Sequence, residues 1–122
     1  MEPSAQSSAQ GDAALSQAID RLWVRFLPEI KERIANLQAA AEALAAGTLS
    51  PSRRESACAD AHKLAGVLGT FGLTRGTVLA RELEINLTRD DGPDPASASM
   101  LVSIAAELLQ MAESRQSRAE PE

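Results

Sequence analysis

The chain is poor in the residues on which several kinds of function depend. Among 122 residues there is no tyrosine, and there are only one tryptophan, two phenylalanines, one cysteine and one histidine. Lys and Arg together number 12 against 17 Asp and Glu, a formal net charge of −5. Without a basic stripe or an aromatic stacking platform, nucleic-acid binding is excluded. A lone cysteine cannot close an intrachain disulfide, which points to a reducing compartment. No run approaches the roughly 18–20 apolar residues of a membrane span. The Ser/Gln/Ala-rich start, Met1 to Asp12, has neither the basic n-region nor the apolar h-region of a signal peptide. The expectation is a cytoplasmic protein without membrane contact. Alternation with period two is absent throughout, so strands are not expected, and there is no internal repeat.

What remains is helix-forming sequence. The composition is 44% hydrophobic and rich in alanine, enough for one domain with its own core. Residues 1–11 and 114–122 are polar and read as disordered or frayed tails around a bundle spanning 12–113. A first helix is predicted from about Ala13 to Ala46, with Asp12 as cap and Gly47 as stop. Its stripe is Leu15, Ile19, Leu22, Phe26, Ile30, Ile34, Leu37, Ala41 and Leu44, spaced by threes and fours. Pro28 interrupts the stretch, so a kink or a short break is expected there. Ser50 and Pro51 open a second helix that stops near Gly72. A third covers about Thr74 to Thr88, with Leu79, Leu83 and Leu87 on one side. The breaker from Asp90 to Pro95 precedes a last helix striped with Leu101, Ile104, Leu108 and Met111. The fold class is therefore all-α, an antiparallel four-helix bundle with an N-terminal helical extension kinked or broken near Pro28. Trp23, Phe26 and Phe71 read as core.

The single histidine, His62, lies in the second helix. Ala57, Ala61, Leu64, Leu68 and Phe71 form that helix's core stripe, and His62 falls roughly 140° from its centre. Its neighbours on the helix surface, Cys58, Ala59, Ala65, Gly66 and Gly69, are all small. Two glycines inside a helix cost about 1 kcal/mol each relative to alanine, which helix stability alone does not explain. A prominent imidazole with nothing tall beside it suits access by another protein. A neutral imidazole is a competent nucleophile near pH 7, and a phosphoryl group on its nitrogen can pass to a carboxylate. Cys58 and His62 are one turn apart, but there is no second Cys/His pair to complete a metal site. Glu29, Glu32, Glu82 and Glu84 each have a basic residue at helical spacing and read as a solvated face.

The segment Ala61-His62-Lys63-Leu64-Ala65-Gly66-Val67-Leu68-Gly69-Thr70-Phe71-Gly72-Leu73 resembles the histidine-containing phosphotransfer (HPt) domain of bacterial phosphorelays. His62, Leu64, Gly66, Phe71 and Gly72 match that family's signature in register, and Leu79 to Glu84 looks like the helix that pairs with it. The resemblance implies a four-helix bundle and a phosphocarrier without a hydrolytic or kinase centre of its own. His62 would be the phosphoacceptor, relaying between aspartate-bearing response-regulator receivers or from a sensor histidine kinase. The docking and access surface would be Cys58, Ala59, Ala65, Gly66 and Gly69. No cofactor of its own is implied, since Mg²⁺ would come with the partner receiver. A monomer is the default expectation, and the sequence leaves open a free-standing protein or a part of a longer one. One departure stands out: the family often has a lysine three residues after the histidine, and here that position is Ala65. Lys63 or Arg81, with Arg75 as a further candidate, is the possible phosphate-side cation. The departure also keeps open a module that docks a receiver or kinase without carrying phosphate. A metal-binding or enzymatic bundle would show inward Glu-x-x-His pairs, and the sequence has none.

Overall fold

A computed structural model describes the backbone of residues 3–119 and the side chains of 11–115. Among the described residues there are four α-helices and no strand: α1 (Pro3–Ala46), α2 (Pro51–Thr70), α3 (Thr74–Leu87) and α4 (Ala98–Ala119). A single 3₁₀ turn, Pro95–Ser97, leads into α4.

Local chemistry sets the helix ends. The Ser50 hydroxyl accepts from the Arg53 amide at 3.2 Å, with Pro51 in the first helical position of α2. The Asp94 carboxylate accepts from the Ala96 amide at 2.9 Å. α2 closes in a Schellman motif: Gly72 adopts φ +75°, and the amides of Leu73 and Gly72 donate to the carbonyls of Leu68 and Gly69 at 2.9 and 3.0 Å. Only glycine adopts that conformation without strain. The chain therefore reverses within three residues, and α3 returns antiparallel beside α2.

The core is continuous. Trp23, Leu27, Ile30, Ile34, Leu37, Ala41 and Leu44 of α1 pack with Leu101, Ile104, Leu108 and Ala112 of α4 and with the buried faces of α2 and α3. The expected stripe of α1 needs correction in its first half. Leu15, Leu22 and Phe26 are exposed, and the burying residues there are Trp23 and Leu27. The two stripes sit about 80–100° apart on the wheel. Tertiary partners decide between them: Trp23 meets Phe71 edge-on at 5.1 Å, and the Arg115 guanidinium lies over its ring at 5.5 Å.

α1 is unbroken at Pro28. Both Pro28 and Val24, whose carbonyl loses its partner, are exposed, so water can satisfy the freed acceptor. The helix begins at Pro3, inside the segment expected as a tail, because only Gly11 and no proline interrupts it before Pro28. Asp12 is consequently not its cap. α4 likewise continues to Ala119, beyond the expected bundle end at 113. By length and composition α4 is apolar enough to cross a membrane, which the sequence reading did not anticipate. Here Leu101, Ile104, Ala105, Leu108 and Ala112 are buried instead.

Polar ties orient the helices. Asp60 of α2 is buried and accepts from Arg33 and Asn36 of α1 at 3.0 and 3.1 Å. Arg54 donates to the carbonyls of Leu87 and Arg89 at 2.6 and 2.5 Å, capping the far end of α3. Arg115 pairs with Asp20 at 2.8 Å and ties α4 to α1.

Candidate functional site

His62 stands on the flank of α2 that turns toward α3, and its side chain is 76% exposed. The ring is nevertheless held: Nδ1 lies 2.9 Å from Oε2 of Glu84, a half-buried α3 residue. An ionised carboxylate only accepts, so Nδ1 carries the proton and donates it. The lone pair is thereby assigned to Nε2, at the free edge of the ring.

A cavity of about 410 Å³ opens beside the ring, lined by His62, Ala65, Gly66, Arg81, Glu84 and Ile85. Its floor is low at Gly66, where an added Cβ would meet nothing within 4 Å. Arg81 and Glu84 are one turn apart on α3, so a guanidinium and a carboxylate share one rim.

The small residues around His62 do not form one collar. Ala59 and Gly66 are exposed. Ala65 is buried against α3, and its carbonyl accepts from the Thr77 hydroxyl at 2.8 Å. Gly69 is a close-approach position as well, since a Cβ there would come within 3.1 Å of the same hydroxyl. Cys58 is half-buried at the edge of the core. Burial pushes its thiol pKa up, partly opposed by Arg54 and reinforced by Glu84 and Glu55. Ala65 thus serves helix packing rather than access, while Gly69 is exposed and also lets α3 approach closely, because this flank of α2 is divided between α3 and solvent.

Of the candidate cations, Arg81 reaches the cavity, whereas Lys63 is exposed outside its lining. Arg75 is engaged elsewhere, its Nε donating to Glu107 of α4 at 3.0 Å. Among the described residues no three His, Cys, Asp or Glu side chains gather as metal ligands. Glu84 was missed by the sequence reading. Its spacing from Arg81 suggested a surface pair, and the signal lies instead in its position across the α2–α3 turn.

Around α2 from His62, past Gly66, lies an apolar groove of about 280 Å³ formed by Ile19, Leu22, Phe26, Val67, Thr70 and Phe71. The exposed half of the α1 stripe is one wall of it.

Comparison with known proteins gives two matches. The family model described as "Hpt domain" matches residues 21–119. Protein RcaC of Microchaete diplosiphon is 32% identical over 92 residues, which cover 75% of this chain. The match covers only 14% of that relative's length. No solved structure matches.

Proposed function

The chain belongs to the Hpt domain family, whose work is histidine phosphotransfer in two-component phosphorelays, and on that premise we propose that His62 is its phosphoacceptor. The donor is a phospho-aspartyl receiver domain or a histidine kinase, and the acceptor is another receiver. The observation that carries the reading is the held but exposed ring: Nδ1 is fixed on Glu84 at 2.9 Å and Nε2 is left free.

The chemistry follows from that tautomer. The Nε2 lone pair attacks phosphorus, the P–O bond to the donor aspartate breaks, and its electron pair leaves on the donor's carboxylate. No proton has to move. Nδ1–H stays on the ring, the ring takes the positive charge, and the Glu84 carboxylate is already in contact with the N–H that shares it. Onward transfer is the reverse, with the acceptor aspartate as nucleophile. Mg²⁺ belongs to the partner's acidic site in this reading, where it neutralises charge on the moving phosphoryl group. The chain itself supplies a nucleophile, its orientation and a landing surface.

The landing surface in this reading is the low ground at Ala59 and Gly66, continued by the groove between α1 and α2. Leu22 and Phe26 are 45% and 42% exposed there, large apolar side chains left uncovered beside the reacting ring. A receiver seated on them would bring its aspartate over Gly66.

Incubation with a ³²P-labelled receiver tests the assignment. The expected label is acid-labile, base-stable and lost in His62→Gln. Label that persists in that variant would overturn the site. A chain that binds the receiver but takes no label would be a docking module alone.

A further inference from the structure

A phosphoryl group on Nε2 would bring close to two negative charges into a cavity whose rim already holds the Glu84 carboxylate. The same carboxylate that orients the ring for attack therefore repels the product. Position 65, three residues after the histidine, cannot offset this, because Ala65 is buried under Thr77 and carries no charge.

We propose that Arg81 is the residue that binds the incoming phosphoryl group, its guanidinium engaging the oxygens as the N–P bond forms on His62 and holding them afterwards. This rests on His62 being the acceptor. Three observations single Arg81 out. It lines the same cavity as His62. It is exposed and engages no acceptor among the described residues, whereas Arg33, Arg54, Arg75 and Arg115 are each committed to a carboxylate or carbonyl. The cavity that the two share is low on its α2 side, where Ala65 and Gly66 line it. Chemistry favours it too. The planar fork of arginine donates two parallel N–H bonds to phosphoryl oxygens and keeps its charge at any working pH. Carboxylate and guanidinium then divide the labour: Glu84 acts on the ring, and Arg81 acts on the phosphoryl oxygens during transfer and after it.

Phosphoramidate, a small donor that needs no docking surface, separates this role from contact with a receiver. The full-length chain, Arg81→Ala, Arg81→Lys and Lys63→Ala are each incubated with it, and phosphohistidine is followed by ³¹P NMR. Circular dichroism checks the fold, which an exposed helical alanine leaves intact. Arg81→Ala is expected to slow labelling by about tenfold, the scale of a lost charged hydrogen bond, and to move the ³¹P resonance. Arg81→Lys should recover part of the rate, and Lys63→Ala should stay within about twofold of the unaltered chain. An Arg81→Ala variant with unchanged rate and resonance overturns the assignment while leaving His62 as acceptor. A lysine no better than alanine overturns it as well. If the unaltered chain takes no label from phosphoramidate or from receivers, the phosphocarrier reading falls first and this inference with it.

Discussion

Replacing Glu84 is the sharpest test of how the ring is prepared. The contact is a single charge-assisted hydrogen bond of 2.9 Å, with Glu84 29% exposed and His62 76% exposed. A hydrogen bond to a charged group contributes about 1.5–3 kcal/mol where water is excluded. Here water reaches the ring, and the figure is discounted to about 1–2 kcal/mol. This contact matters more in the transition state, when the ring becomes cationic, than in the resting chain. Most of the loss should therefore appear in the rate, as a fall of about five- to thirtyfold for Glu84→Ala. Glu84→Gln separates two contributions. Its amide oxygen can still accept from Nδ1–H and keep the tautomer, but it offers no negative charge to the cationic ring, so an intermediate rate is expected. The assay is single-turnover transfer from a phosphorylated receiver, with the fold checked by circular dichroism. If Glu84→Ala transfers within twofold of the unaltered chain, the contact is a surface pair and the argument for a prepared ring fails.

Three further outcomes follow from the geometry. Gly66→Gln should raise the melting temperature slightly, since a side chain there meets nothing within 4 Å and helix propensity improves by up to about 1 kcal/mol; transfer from a receiver should meanwhile fall by at least about tenfold, because the approach to Nε2 is blocked. Asp60→Ala removes the buried acceptor that Arg33 and Asn36 share and should cost about 1–2 kcal/mol, less than breaking a fully buried pair because Arg33 keeps its ion pair with Glu29 and Asn36 is exposed to water; urea unfolding followed by Trp23 fluorescence measures it. For Cys58, burial favours the neutral thiol and pushes its pKa up from 9.0, so the thiolate fraction at pH 7.5 is lower than that of a free cysteine; alkylation by iodoacetamide should be slower than for glutathione there and should still be climbing above pH 9.

The fold class and the helix ends at the internal turns were legible because their causes are local. Ser50-Pro51, Gly72 and Asp94-Pro95 carry their stop and start chemistry in adjacent residues. The face of α1 was less legible. Between Leu15 and Leu27 two stripes of similar quality compete, one through Leu22 and Phe26 and one through Trp23 and Leu27. Periodicity scores them alike, and the choice falls to residues distant in the chain, Phe71 and Arg115, which take up Trp23. The losing stripe is left facing solvent beside the histidine helix. The part of α1 that misled a core assignment is thus the part available to a partner.

The site divides in the same way. A helical wheel of α2 alone shows that His62 points away from that helix's own apolar stripe, but it treats α2 as isolated and cannot show what stands opposite. The turn supplies the missing register. Gly72 and Leu73 reverse the chain so tightly that α2 and α3 are mirror-placed about Leu73. His62 and Glu84 lie eleven residues either side of it, Ala65 and Arg81 eight, Gly69 and Thr77 four, and the contact or shared cavity of each pair is observed. Reflection through a short helical turn would have found both charged neighbours of the ring from sequence. It works only for the flank turned toward the returning helix. Asp60 reflects onto Asn86 but bonds Arg33 and Asn36 of α1 instead, because two residues carry it about 200° round from His62. That exception fixes the rotation of α2: with Asp60 tied to α1 on one side, the imidazole two residues later can face only α3 and the solvent beyond it.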